Sequence, residues 1–141
     1  MTYEVATVLN SKFTIKQEHL GELFKAIKDA VQYSQFGGAI GFHQKTGILN
    51  EDYLDDILGK WFGWFPVYSN INGQRCNIIN FNYQWENEDG NLSTYLFDIL
   101  APFVDAGSYI EMYDGKANRW RYAFNGITMK KIMPTIVYEE F

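Results

Sequence analysis

Cysteine is almost absent from this chain. Cys76 stands alone among 141 residues, so no internal disulfide can form, which agrees with a reducing compartment. Histidine is scarce as well: His19 and His43 are too few for a three-histidine metal site, and no Cys-x-x-Cys or His-x-x-x-His spacing supports zinc. No run approaches the ~18 consecutive apolar residues of a membrane helix. The opening MTYEVATVLNSK also lacks the basic start and apolar core of a secretory signal. The expected location is the cytoplasm of a bacterial host, with no membrane partner. Positive charge is short too, with 12 Lys and Arg against 17 Asp and Glu for a net charge of −5. A general nucleic-acid binder draws its affinity from clustered cations on phosphates, so this balance argues against direct nucleic-acid binding.

Catalytic patterns are missing as well. Gly38-Ala-Ile-Gly-Phe-His-Gln-Lys45-Thr46 has the glycines and the Lys-Thr of a phosphate loop, but Gln44 stands where glycine must precede the lysine. No Gly-x-Ser-x-Gly elbow occurs, and Ser34, Ser69, Ser93 and Ser108 each suit a turn, strand or cap. Asp55-Asp56 and Glu139-Glu140 are adjacent carboxylates, which alone does not create the raised pKa of a general acid. These residues predict a non-enzyme with no cofactor and no metal.

What the chain has is aromatic mass. Hydrophobic residues make up 47% and aromatics 18% of the sequence, enough for one packed domain over 1–141. Residues 3–9 fit a strand. Thr14 with Gln17 resembles a capping box, and Leu20, Leu23, Phe24, Ile27, Ala30 and Val31 recur at helical spacing, predicting a helix from Ile15 to about Gln32. Glycines at 37, 38, 41 and 47 predict an irregular loop over 34–49 with one short strand. Asn50 is the expected cap of a second helix reaching Trp61, and Leu92 to Phe103 mark a third.

Two Asn-Gly pairs predict hairpins. Asn72-Gly73 joins strands near 64–71 and 74–85, with Pro66 confining the first to an edge. Asn125-Gly126 pairs Phe124 with Ile127, which puts Trp120, Tyr122, Phe124, Ile127 and Met129 on one face. Parity adds Ile110 and Met112 to that face if the preceding loop has three or five residues, and Glu111 then meets Arg121 or Arg119 outside. The expected fold is α+β: a single twisted antiparallel sheet built from hairpins, with about three helices mainly on one face.

Leu100-Ala-Pro-Phe-Val-Asp-Ala-Gly-Ser-Tyr-Ile-Glu-Met112, Asp114-Gly115 and Trp120-Arg-Tyr-Ala-Phe124 resemble the ending of a loose group of small bacterial and phage proteins, and Phe13 to Leu20 is similar to their start. The commoner tail of that group has another Gly-Glu ahead of Asp-Gly, and the insert at 34–49 is private to this chain. The group has no established activity and lends no site residue.

Surplus aromatics beside polar residues suit a protein interface. Three regions are therefore candidates for partner binding: the acidic helix start with Asp52, Asp55 and Asp56; the aromatic hairpin and its acidic loop with Trp64, Tyr68, Trp85, Glu86, Glu88 and Asp89; and the outer strand face with Glu111, Arg119 and Arg121. Together with small size and acidity, they predict a protein-binding inhibitor of a host defence system, anti-CRISPR-like and encoded by a phage or mobile element. Self-association as a homodimer is the other way to cover the aromatics. A small-molecule or nucleotide-signal binder with an aromatic pocket is the alternative, and a small enzyme the last.

Overall fold

Alternation of apolar and polar residues through Ile110-Glu111-Met112 and Trp120-Arg121-Tyr122 gives a sheet one dry face and one wet face. The computed structural model, which describes residues 7–33, 41–69, 75–81, 91–115 and 118–135, contains that sheet. Its elements run β1 (Thr7–Lys12), β2 (Ile15–Lys16), α1 (Leu20–Gln32), α2 (Phe42–Leu49), α3 (Leu54–Asp56), β3 (Trp64–Ser69), β4 (Arg75–Phe81), α4 (Asn91–Leu100), β5 (Tyr109–Tyr113), β6 (Arg119–Phe124) and β7 (Met129–Ile132). The fold is α+β with antiparallel pairing, as expected.

The strands are shared between a four-stranded sheet, β1-β5-β6-β7, and a three-stranded one, β2-β4-β3. The single expected sheet is thus divided at Phe13-Thr14, where the chain leaves β5 and turns to β4. Thr14 holds that corner: its hydroxyl donates to Asp105 Oδ2 at 2.8 Å and its carbonyl accepts the Asp105 N–H at 3.0 Å. A bend that hands one strand from sheet to sheet lets both sheets close over a common core.

The core centres on Phe97 of α4. Its ring lies 4.8 Å from Trp64 and 4.8 Å from Tyr122, and meets Phe124 edge-on at 5.9 Å, with Phe13 completing the cluster. Ile110, Met112, Tyr122 and Phe124 supply the dry face of the four-stranded sheet, and α1 adds Leu23, Ile27, Ala30 and Val31. Each large side chain buried here contributes on the order of 1.5–3 kcal/mol before entropy is set against it.

Register confirms the parity argument and corrects one turn. Five residues separate Tyr113 from Arg119, and Glu111 pairs with Arg121 as Met112 does with Trp120. At the second turn Phe124 pairs with Met129, not with Ile127. Asn125 accepts the Ile127 and Thr128 N–H groups through Oδ1 at 2.9 and 2.7 Å, so it opens a longer loop in which Gly126 takes φ +91°. The two-residue shift preserves every inward assignment except Ile127, which is 73% exposed.

Helix boundaries differ more. Thr14 is engaged with Asp105, so no capping box forms. Gln17–His19 make a 3₁₀ turn instead, and α1 begins at Leu20. The expected loop over 34–49 is helical from Phe42, started by Gln44 Oε1 accepting the Gly41 N–H at 2.8 Å, while 34–40 lie outside the described residues. Asn50 ends α2 rather than starting the next helix, and α3 widens into a π-helical turn at Ile57–Trp61. β3 is an edge strand as Pro66 requires, with a register shift between Phe65 and Pro66; the Asn72-Gly73 turn lies outside the described residues. β1 runs 7–12, and a bulge between Val8 and Asn10 pushes out Leu9.

Candidate partner-binding surface

The outer face of the four-stranded sheet follows from the register. One row across it reads Lys12, Tyr109, Ala123, Lys130, and the next Asn10, Glu111, Arg121, Ile132. Tyr113 stands opposite Arg119 beyond them. Glu111 Oε1 lies 3.6 Å from Arg121 Nη2, an ion pair open to solvent. The Arg121 guanidinium sits 4.6 Å above the Tyr109 ring and that of Arg119 sits 5.6 Å from Tyr113, while the Tyr109 hydroxyl accepts from Asn10 Nδ2 at 3.1 Å. Stacking on tyrosine holds the arginine planes over the sheet without neutralising them. Among the described residues no carboxylate pairs with Arg119.

This face inverts the charge of the protein. Among the described residues it carries Lys12, Arg119, Arg121 and Lys130 against Glu111. Taking those five from the 12 Lys and Arg and 17 Asp and Glu of the chain leaves 8 cations against 16 anions elsewhere. Beside it, Glu111, Arg119 and Arg121 meet Ile132, Met133 and Pro134 around an open recess of about 370 Å³. Ile132 and Met133 are 43% and 56% exposed there. The arrangement joins two guanidiniums to an apolar strip, the mixture that anchors protein interfaces.

The other candidates fare differently. Asp52, Asp55 and Asp56 are exposed at the start of α3, beside Tyr53, which is 70% exposed. Trp64 is a correction: it is fully buried against Phe97 and its Nε1–H donates to buried Ser93 Oγ at 3.2 Å, because its position on β3 points into the core. Tyr68 lies on β3 opposite Cys76. Trp85, Glu86, Glu88 and Asp89 lie outside the described residues.

Glu51 ties three segments together. Its carboxylate accepts Trp61 Nε1–H at 3.2 Å and faces Lys60 Nζ at 3.4 Å, while its carbonyl accepts from Lys28 of α1. His43 lies on α2, and its ring contacts Trp61 edge-on at 6.4 Å, while the neighbouring Phe42 is 86% exposed. No three His, Cys, Asp or Glu side chains converge as a metal site among the described residues, and no helix there is long and apolar enough to cross a membrane.

Tyr109 and Tyr113 belong to the surface although sequence reasoning passed over them. Period-two counting outward from Glu111 reaches both. Lys12 needed the β1–β5 pairing, whereas Lys130, next to inward-facing Met129, is on the outer face in either turn register. Comparison with known protein families, curated proteins and solved structures finds no match.

Proposed function

We propose that the protein is a non-enzymatic protein-binding module that occludes a partner surface with the outer face of its four-stranded sheet. The observation that carries this reading is the gathering of Arg119, Arg121, Tyr109 and Tyr113 beside an exposed Ile132–Pro134 strip, on a face whose charge opposes that of the rest of the chain. Arginine and tyrosine are, with tryptophan, the residue types enriched among those that dominate binding energy at protein interfaces. Size, acidity and the resemblance of the last strands to a loose group of small bacterial and phage proteins favour the narrower form, an anti-CRISPR-like inhibitor of a host defence system encoded by a phage or mobile element.

The test is affinity capture from a bacterial host lysate with the wild-type protein and with R119E/R121E. A specific partner held by the first and lost by the second is the expected result, and matching losses in a phage-plating assay would place that partner in host defence. Capture that survives the double reversal overturns the reading. The recess favours a second reading, a small anionic ligand held by the two guanidiniums, which a thermal-shift screen of nucleotides and carboxylates would detect.

A further inference from the structure

We infer that the outer sheet face is covered, in the free protein, by the acidic segment Asp52-Tyr53-Leu54-Asp55-Asp56 of a second copy of this chain. The inference rests on the reading of that face as protein-binding, and adds the identity of an occupant.

The face asks for an anion of a particular kind. Four cations surround one carboxylate, Glu111, which stands in the middle of the sheet and lies 3.6 Å from Arg121. A phosphate backbone tracking across the sheet would meet that carboxylate. The ring faces on which bases would stack are already overlaid, Tyr109 by Arg121 and Tyr113 by Arg119. Discrete carboxylates spaced around Glu111 suit this surface better than a continuous polyanion. The apolar strip at Ile132, Met133 and Pro134 asks in addition for an apolar or aromatic side chain next to those carboxylates.

The chain itself presents such a segment. Asp52, Asp55 and Asp56 are exposed, and Tyr53 projects among them at 70% exposure. Tyr53 has extended backbone angles, φ −127° and ψ 139°, and α3 starts only at Leu54. The ring therefore stands ahead of the helix instead of lying in its apolar stripe. Tyr53 in the recess with Asp52 and Asp56 directed at Arg119 and Arg121 gives the apolar strip and both guanidiniums a complement.

Three proteins are compared by analytical ultracentrifugation over a concentration series: wild type, R119E/R121E and D52K/D56K, each first shown to retain the wild-type circular dichroism spectrum. The wild type is expected to associate at low salt and to fall to monomer near 1 M salt, where the Debye length shrinks to about 3 Å. Each variant alone should associate at least ten-fold more weakly, and mixing the two should restore association, since each then presents the charge the other lacks. Wild type that stays monomeric throughout, or a mixture that stays dissociated, overturns the inference. Retention of a labelled single-stranded oligonucleotide by the wild type but not by R119E/R121E also overturns it. Monomeric wild type that still loses lysate capture on R119E/R121E substitution removes self-docking alone, whereas capture unaffected by R119E/R121E removes the underlying reading of the face.

Discussion

Trp61 approaches the backbone of Gly47 so closely that a Cβ there would stand 2.1 Å from Cζ2 and 2.3 Å from Cη2 of the indole. Glycine inside a helix normally costs roughly 0.5–1 kcal/mol relative to alanine, so on propensity alone Gly47→Ala in α2 would stabilise. Here the indole is anchored by the Nε1–H bond to Glu51 and contacts the His43 ring of the same helix, so moving it away from a new methyl group strains those contacts. Gly47→Ala is expected to lower stability by about 1–3 kcal/mol, the usual range for overpacking, read as a lower urea midpoint. A raised midpoint would mean that Trp61 swings away at no cost.

The turn at Asn125 offers a test that separates two registers. With Phe124 opposite Ile127, Ile127 would belong to the dry face. With Phe124 opposite Met129, Ile127 is a loop residue and 73% exposed. Ile127→Ser should therefore leave stability within about 0.5 kcal/mol of wild type, whereas Asn125→Ala should cost on the order of 1 kcal/mol by removing the acceptor of two backbone N–H groups. Gly126→Ala should cost more than Ile127→Ser as well, since Gly126 combines φ +91° with Ala106 Cβ 3.3 Å from any new methyl. Equal losses at Ile127 and Asn125 in thermal melts would restore the shorter turn.

Parity made the C-terminal strands legible, because a slip of two residues leaves every side chain on its own face. The meeting of Glu111 with an arginine on the outer face and the inward set of Ile110, Met112, Tyr122 and Phe124 survive such a slip, and both are observed, with Arg121 as the partner. The outer face was half legible for the same reason: Glu111, Arg119 and Arg121 are adjacent in the hairpin, while Lys12 joins them only through pairing with Tyr109, far away in sequence. Thr14 could not be assigned from its neighbours. Thr14 with Gln17 satisfies the local pattern of a cap, yet the hydroxyl goes to Asp105, a tertiary partner that no window around Thr14 contains. Gly47 misled similarly, since its reason for being glycine is the ring of Trp61 and not loop flexibility.

Thr14→Val tests that corner. The substitution keeps the shape of the side chain and removes the hydroxyl, leaving the partly buried Asp105 carboxylate with one donor fewer. Hydrogen bonds to charged groups contribute about 1.5–3 kcal/mol, and a loss of that size in the denaturant midpoint is expected. A change below about 0.5 kcal/mol would mean that the backbone bond from Asp105 to Thr14 holds the two sheets together unaided.

Glu111 and Arg121 call for a double-mutant cycle, because their separation of 3.6 Å and their exposure point to a small mutual energy. Coupling of about 0.2–1 kcal/mol between Glu111→Ala and Arg121→Ala is expected, falling as salt is added. A coupling well above that range would make the pair structural, and would weaken the assignment of Arg121 to partner binding, since a guanidinium committed to Glu111 has less to offer another molecule.

Tyr122 gives the fold one contribution that depends on pH in alkali. Burial raises its pKa above the ordinary 10.0, with the Thr94 hydroxyl and the nearby Trp120 N–H acting in the opposite direction. The Trp120 approach does not reach hydrogen-bond geometry, and its buried Nε1 has no full partner among the described residues. A native pKa above the unfolded one means that the folded state prefers the neutral phenol. The contribution of Tyr122 is therefore complete below about pH 10, and is lost as pH rises through its native pKa. Removing the ionisable hydroxyl removes that loss, so the stability of wild type relative to Tyr122→Phe should hold constant up to about pH 10 and decline above it. Urea midpoints of both proteins across the alkaline range make the comparison, and parallel curves would show that the phenol ionises as easily in the core as in the unfolded chain.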